Sequence, residues 1–262
     1  FLEEFKHTRE VMISLQRHMQ SMIAAASDRL RLRAKLLEQG GVPPEDEEQE
    51  QHSRIILRFL QQLCEGHMTA FQDFLRFQPG EDVAINIVQL LYAYLDDVVQ
   101  DRRVLRCMHP ATMLQLLNTL AEVVQGPCLG NQSLLLKNNL HECCARVINL
   151  PAEEYTAYGR PPCMQFELSL DYPRSVHECM EECLEEDVLV DDLSGNIEVS
   201  SKLLDLYATK KAAVVMIQSL QEGVQSSYRA KQLIEGLDVN LMVKLLEESV
   251  SEFSREHLRE GK

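Results

Sequence analysis

Two carboxylates stand where a carboxylate is poorly accommodated, and they hold the most chemical promise in this sequence. Glu122 falls in the last turn of an expected helix, just ahead of Gln125-Gly126-Pro127. Unpaired carbonyls and the negative end of the helix dipole disfavour an anion there. Glu65 sits beside Gly66 and His67 in the otherwise apolar stretch from Leu60 to Phe74, two positions after the core-type Leu63. A cation would relieve both. If the helices that carry them pack side by side, two facing carboxylates attract a hard, oxygen-seeking ion such as calcium. The competing reading is a pair of solvated surface glutamates, the state in which most glutamates are found.

Other clusters offer less. His141-Glu142-Cys143-Cys144 and His177-Glu178-Cys179 with Cys183 contain zinc-ligand types. Zinc needs about four converging ligands, though, and residues two apart on a helix, such as His141 and Cys143, diverge. An EF-hand register through Asp191-Asp192-Leu193-Ser194-Gly195-Asn196 places Val190 at loop position one, where an acidic ligand belongs, and therefore fails. Glycine-rich phosphate loops, nucleophile elbows, His-Glu-x-x-His and Cys-x-x-Cys are all missing from the sequence, so the chain is not expected to be an enzyme.

The elements that must position the two glutamates read as helices. Residues 1–38 form a long helix, with Phe5, Val11, Met12, Leu15, Met19, Met22 and Ile23 at mostly three- and four-residue spacings. Gly40-Gly41-Val42-Pro43-Pro44 breaks it, and residues 39–52 read as a flexible acidic linker. The next helix is expected to open near Ser53, with Ile56, Phe59, Leu60 and Leu63 on one apolar face that Phe71, Phe74 and Leu75 extend past Gly66. Asp82 is a plausible cap for a helix through Val88, Leu91, Leu95 and Val98. Pro110 suits the first turn of another, which runs through Met113, Leu116, Leu117, Leu120 and Val124 to Gly126-Pro127. A further helix is expected over about Gln132 to Asn149, closing a first helical unit over 53–150.

Beyond it, residues 151–197 look like a loop-rich acidic insertion, punctuated by Pro151, Pro161, Pro162 and Pro173. Helices return over 198–262, at about Val199 to Gln221, Ser226 to Glu235 and from Val239 onwards. Segments of this length joined by short turns predict an all-α, armadillo-like α-solenoid of stacked helix pairs.

Composition narrows the partners. The chain has 262 residues, enough for one large domain or two smaller ones, and 41 Asp and Glu against 26 Lys and Arg give a formal charge of −15. Such an excess repels phosphate backbones and anionic lipid alike, so neither nucleic acid nor a membrane surface is an expected partner. Apolar runs fall short of a membrane span. Eight cysteines, with Cys64, Cys143 and Cys144 in helix-like contexts, read as reduced thiols. The opening Phe1-Leu2-Glu3-Glu4-Phe5-Lys6 reads as the start of a piece of a longer protein.

Two blocks carry a resemblance. The first is Ile56-Leu57-Arg58-Phe59-Leu60-Gln61-Gln62-Leu63-Cys64-Glu65-Gly66-His67 followed by Phe71-Gln72-Asp73-Phe74-Leu75-Arg76. The second is Leu117-Asn118-Thr119-Leu120-Ala121-Glu122-Val123-Val124-Gln125-Gly126-Pro127-Cys128 with Gly130-Asn131-Gln132. Together they resemble the RIH-associated domain of the inositol trisphosphate and ryanodine receptors. Met68, Ala121 and Val123 depart from the Asn, Thr and Tyr common in that family. The long first helix is nearer in style to the inositol trisphosphate branch and Cys64-Glu65-Gly66-His67 to the ryanodine branch, which leaves the branch open.

The resemblance implies a cytosolic regulatory solenoid of a tetrameric, ligand-gated calcium-release channel at the endoplasmic or sarcoplasmic reticulum. It also implies that Glu65 and Glu122 are calcium ligands, completed by a carbonyl from a C-terminal domain beyond this chain, with His67 and Gln125 as their supporting neighbours. The implied partners are that C-terminal domain and the upstream solenoid of the same channel. A helical scaffold that binds a partner protein without any ion is the alternative, since α-solenoids present extended surfaces.

Overall fold

A computed structural model describes residues 8–41, 47–78, 85–151, 206 and 208–222. Among these residues every regular element is a helix, in agreement with the expected all-α class. The order is α1 (Thr8–Glu38), α2 (Glu47–Cys64), α3 (Thr69–Arg76), α4 (Ile87–Gln100), α5 (Arg102–Leu105), α6 (Pro110–Glu122), α7 (Leu129–Lys137), α8 (Leu140–Ile148) and α9 (208–221). Most of the acidic insertion, the helices expected after residue 225, the His177/Cys179/Cys183 cluster and the rejected EF-hand register lie outside the described residues.

The centre of the packing is α4, which touches α1, α3, α5, α6, α7 and α8. Its composition explains this. Ile87, Val88, Leu91, Tyr94, Leu95, Val98 and Val99 are all buried, an apolar surface wide enough to receive neighbours on more than one side. At about 1.5–3 kcal/mol for each large apolar side chain removed from water, this helix alone supplies a major share of the driving force. The largest single interface joins α2 to α6, which are far apart in sequence. Armadillo-like stacking of helix pairs remains an expectation from the sequence.

Several local expectations are corrected. The second helix opens at Glu47 and not near Ser53, so part of the stretch expected as linker is helical. Its buried face is Ile56, Leu57, Leu60 and Cys64, while Phe59 stays half exposed, because packing on α6 selects a stripe rotated from the one that spacing suggested. In α1 the buried stripe runs Met12, Met19, Met22, Ala26, Leu30 and Ala34, leaving Val11 outside. The cap of α4 is Asn86, whose Oδ1 accepts the Gln89 N–H at 2.8 Å. The single helix expected over Gln132 to Asn149 is two, parted at Asn139, which takes φ +58°. Asn is the residue other than Gly that best tolerates this conformation. At the start of α6 the expectation holds, with Pro110 in the first turn and the His109 ring accepting the Ala111 N–H.

A shielded ion pair helps to fasten the long first helix. Arg33 NH1 of α1 meets Glu50 Oε1 of α2 at 3.1 Å, and Thr112 Oγ1 of α6 donates to Glu50 Oε2 at 2.6 Å. Both charged side chains are nearly buried, so the pair and the Thr112 hydroxyl together replace the water that Glu50 loses.

Candidate functional site

The contact between α2 and α6 brings the two sequence motifs together. Apolar side chains carry most of it, and polar links fix the register: Thr119 Oγ1 donates to the Leu57 carbonyl at 3.0 Å and Gln115 Nε2 to Gln61 Oε1 at 2.8 Å. With register set, the two helices end beside each other. Glu65, Gly66 and His67 form the turn that follows α2, and Glu122 is the last residue of α6.

Both turns use left-handed backbone. Gly66 and His67 take φ +76° and +60°, and Gly126 takes φ +83°. At Gly126 a side chain would collide with its surroundings, since a Cβ there would lie 2.4 Å from His67 Cβ. The close approach that only glycine permits thus presses the Glu65 turn against the turn after Glu122.

Electrostatics report the same proximity. The Glu122 carboxyl is held above the usual carboxylate range, chiefly because burial penalises its charge, with Glu65 pushing it further up and His67 and Arg58 pulling it back. Its Oε2 is shut off from solvent and has no hydrogen-bond partner among the described residues. Burial, helped by the Glu122 charge and by Cys128, raises the neighbouring Cys64 thiol to about 12, which makes it inert. Glu65 itself is exposed.

The residues that shape the second turn escaped the sequence reading as functional groups. Gln72 of α3, fully buried, donates from Nε2 to the carbonyls of Glu122 and Gln125 at 2.6 and 2.8 Å, satisfying acceptors that the end of α6 leaves open. Asn131 of α7, also fully buried, donates to the carbonyls of Gln72 and Val123 at 2.9 and 2.7 Å and accepts from Arg76 Nε at 2.8 Å. Their signal was present: polar amides inside apolar helices must be paired when buried, and unpaired carbonyls at a helix end are the natural partners.

Of the expected supporting neighbours, His67 packs on Gly126 and favours the charged form of Glu122, whereas Gln125 donates to Ser219 Oγ of α9 at 3.0 Å. The His141 cluster does not become a metal site. His141 is buried, desolvation lowers its basicity, and Cys143 and Cys144 are buried free thiols. Among the described residues no group of three or more His, Cys, Asp or Glu side chains gathers in a metal-binding arrangement. The Glu65/Glu122 pair is therefore at most part of a coordination shell. Its chemistry, carboxylate oxygens with one of them shielded and unpartnered, suits a hard divalent cation.

No helix among the described residues is long and apolar enough to cross a membrane. Residues 47–148 match the sequence family described as RyR and IP3R Homology associated, a span that begins with the first residue of α2 and ends with the last of α8. That match falls on the segment that carries both motif blocks, and this segment is similar to the RyR and IP3R homology associated domain.

Proposed function

We propose that this chain is a cytosolic regulatory region of a ligand-gated calcium-release channel of the endoplasmic or sarcoplasmic reticulum. In this reading Glu65 and Glu122 contribute the protein's carboxylates to a calcium-sensing site at a domain boundary. The observation that carries the proposal is the shielded, unpartnered Oε2 of Glu122 beside a second carboxylate that acts on it electrostatically. Calcium bound there would supply the positive charge that this arrangement lacks.

The chain's own residues explain why such a site would sense and not merely store the ion. Calcium takes six to eight oxygens, and two carboxylates offer four at most. The remaining oxygens must come from water or from another module, the C-terminal domain of the same channel. Affinity then differs between docked and undocked arrangements, and only such a difference can shift a conformational equilibrium. The upstream solenoid and the other subunits of a homotetramer complete the set of proposed partners. Gln72 and Asn131 hold the end of α6 in place, His67 offsets the cost of ionising Glu122, and Gly126 lets the two turns meet.

The test is calcium activation of the channel that carries this segment. Glu65→Gln and Glu122→Gln each shift activation to higher calcium concentration, and unchanged calcium dependence in both variants rejects the assignment. One observation favours a second reading, an ion-free scaffold: Ile55 and Phe59 stand one turn apart on α2 at 60% and 51% exposure, an apolar pair available to a protein partner.

A further inference from the structure

The turn after Glu122 is gripped from a third side that the site itself does not require. Gln132 Nε2 of α7 donates to the carbonyls of Ser219 and Glu222 at the end of α9, both at 2.9 Å. Gln125 Nε2 donates to Ser219 Oγ at 3.0 Å, and the N–H of Gly126 donates to Glu222 Oε2 at 3.2 Å. Ser219 is buried and in turn donates to the Val215 carbonyl at 2.8 Å. Gln132 and Ser219 are both essentially inaccessible, so the bond from Gln132 to the Ser219 carbonyl operates away from competing water, whereas the contact of Gly126 with Glu222 is exposed.

Gly126 therefore stands between two elements. On one side His67 leaves no room even for a methyl group, and on the other its N–H is held by Glu222. A displacement of the Glu65 turn that follows ion capture has no slack to absorb it at Gly126. Packed contacts shift between discrete arrangements rather than deforming smoothly, so the displacement must be passed on. We propose that the C-terminal end of α9, Ser219 to Glu222, is the element that responds to occupancy of the Glu65/Glu122 pair. This coupling rests on the calcium reading of that pair, and by linkage it runs both ways: loosening the end of α9 also alters the ion affinity of the pair.

The test is amide hydrogen exchange across residues 208–222 of the whole chain, in calcium chloride at about ten times the dissociation constant measured for the wild type by calorimetry, a near-saturating level, and again in chelator. In the wild type, calcium changes exchange in this stretch severalfold. In Glu222→Ala and in Ser219→Ala, the first an exposed site and the second the loss of one hydroxyl, the change disappears. Calorimetry in each variant still detects calcium, with affinity altered by no more than about tenfold, a coupling of about 1.4 kcal/mol. Calcium binding in the wild type without any change over 208–222 overturns the coupling and leaves the calcium reading intact. The same holds if both variants keep the full response. Absence of calcium binding in the wild type overturns both together.

Discussion

Gly66 and Gly126 share a backbone conformation but not an environment, so one substitution made at both sites separates conformational strain from steric overlap. Their φ angles are +76° and +83°. Placing an L-residue in this region costs about 1–2 kcal/mol, offset in part by the smaller entropy that alanine brings to the unfolded chain. At Gly66 nothing lies within 4 Å of the added Cβ, so Gly66→Ala costs about 1 kcal/mol. At Gly126 the same methyl meets His67 Cβ at 2.4 Å, Cγ at 2.7 Å and Nδ1 at 3.0 Å. The nearest of these atoms is rooted on the backbone and cannot swing away. Overpacking of this kind adds about 1–3 kcal/mol, which brings Gly126→Ala to about 3 kcal/mol. Urea denaturation at pH 7 measures both losses. Adding His67→Gly to Gly126→Ala removes the overlapping atoms and also relieves the positive φ of His67, so the double variant recovers about 2 kcal/mol. Equal losses at Gly66 and Gly126, or no recovery in the double variant, would refute the packing of the two turns.

Further outcomes follow from the same contacts. Arg33→Ala removes the cation that meets the nearly buried Glu50 carboxylate at 3.1 Å and destabilises the chain by about 3 kcal/mol, with faster amide exchange along residues 26–34; an unchanged melting profile contradicts the fastening of α1. Gln72→Leu leaves the carbonyls of Glu122 and Gln125 without their side-chain donor and costs about 2–3 kcal/mol by urea denaturation, whereas a loss below about 0.5 kcal/mol means that these carbonyls find other partners. For Glu122 the folded-state affinity for a proton is raised, so its contribution to stability is fully present below the ordinary carboxylate value of 4.5 and is lost as pH rises through the raised value. Glu122→Gln, fixed in the uncharged state, therefore melts at higher temperature than the wild type at pH 7 in chelator, and the gap closes towards pH 4. A lower melting temperature at pH 7 would show that the charge is better compensated than the shielded Oε2 indicates.

Helix class and the main apolar positions of α4 and α6 were legible because their periodicity is strong, and Pro110 and Gly126 punctuate the chain as their backbone chemistry requires. Boundaries were less so. The opening of α2 was hidden by Glu47-Glu48-Gln49-Glu50, a run that reads as solvated linker until Glu50 finds Arg33 and Thr112 in three dimensions. The break at Asn139 depends on one residue accepting a left-handed turn, which many helical sequences would bridge. At the candidate site the two glutamates were singled out by their awkward local positions, and by the resemblance of the blocks around them. The clamp of Gln72, Asn131 and Gln132 was not, because what those amides do is settled by helices fifty or more residues away, as in Gln72 to Glu122 or Gln132 to Ser219.

In the proposed site Glu65 and Glu122 act on one ion together. Carbon-13 spectra of the whole chain, labelled at glutamate side-chain carboxyls and titrated with calcium chloride, test it directly. Both resonances move with a single shared dissociation constant of about 1 mM or weaker, as expected of an incomplete shell, and Glu65 no longer responds once Glu122→Gln is introduced. Independent titration of the two resonances, or an undiminished Glu65 response in that variant, would contradict it.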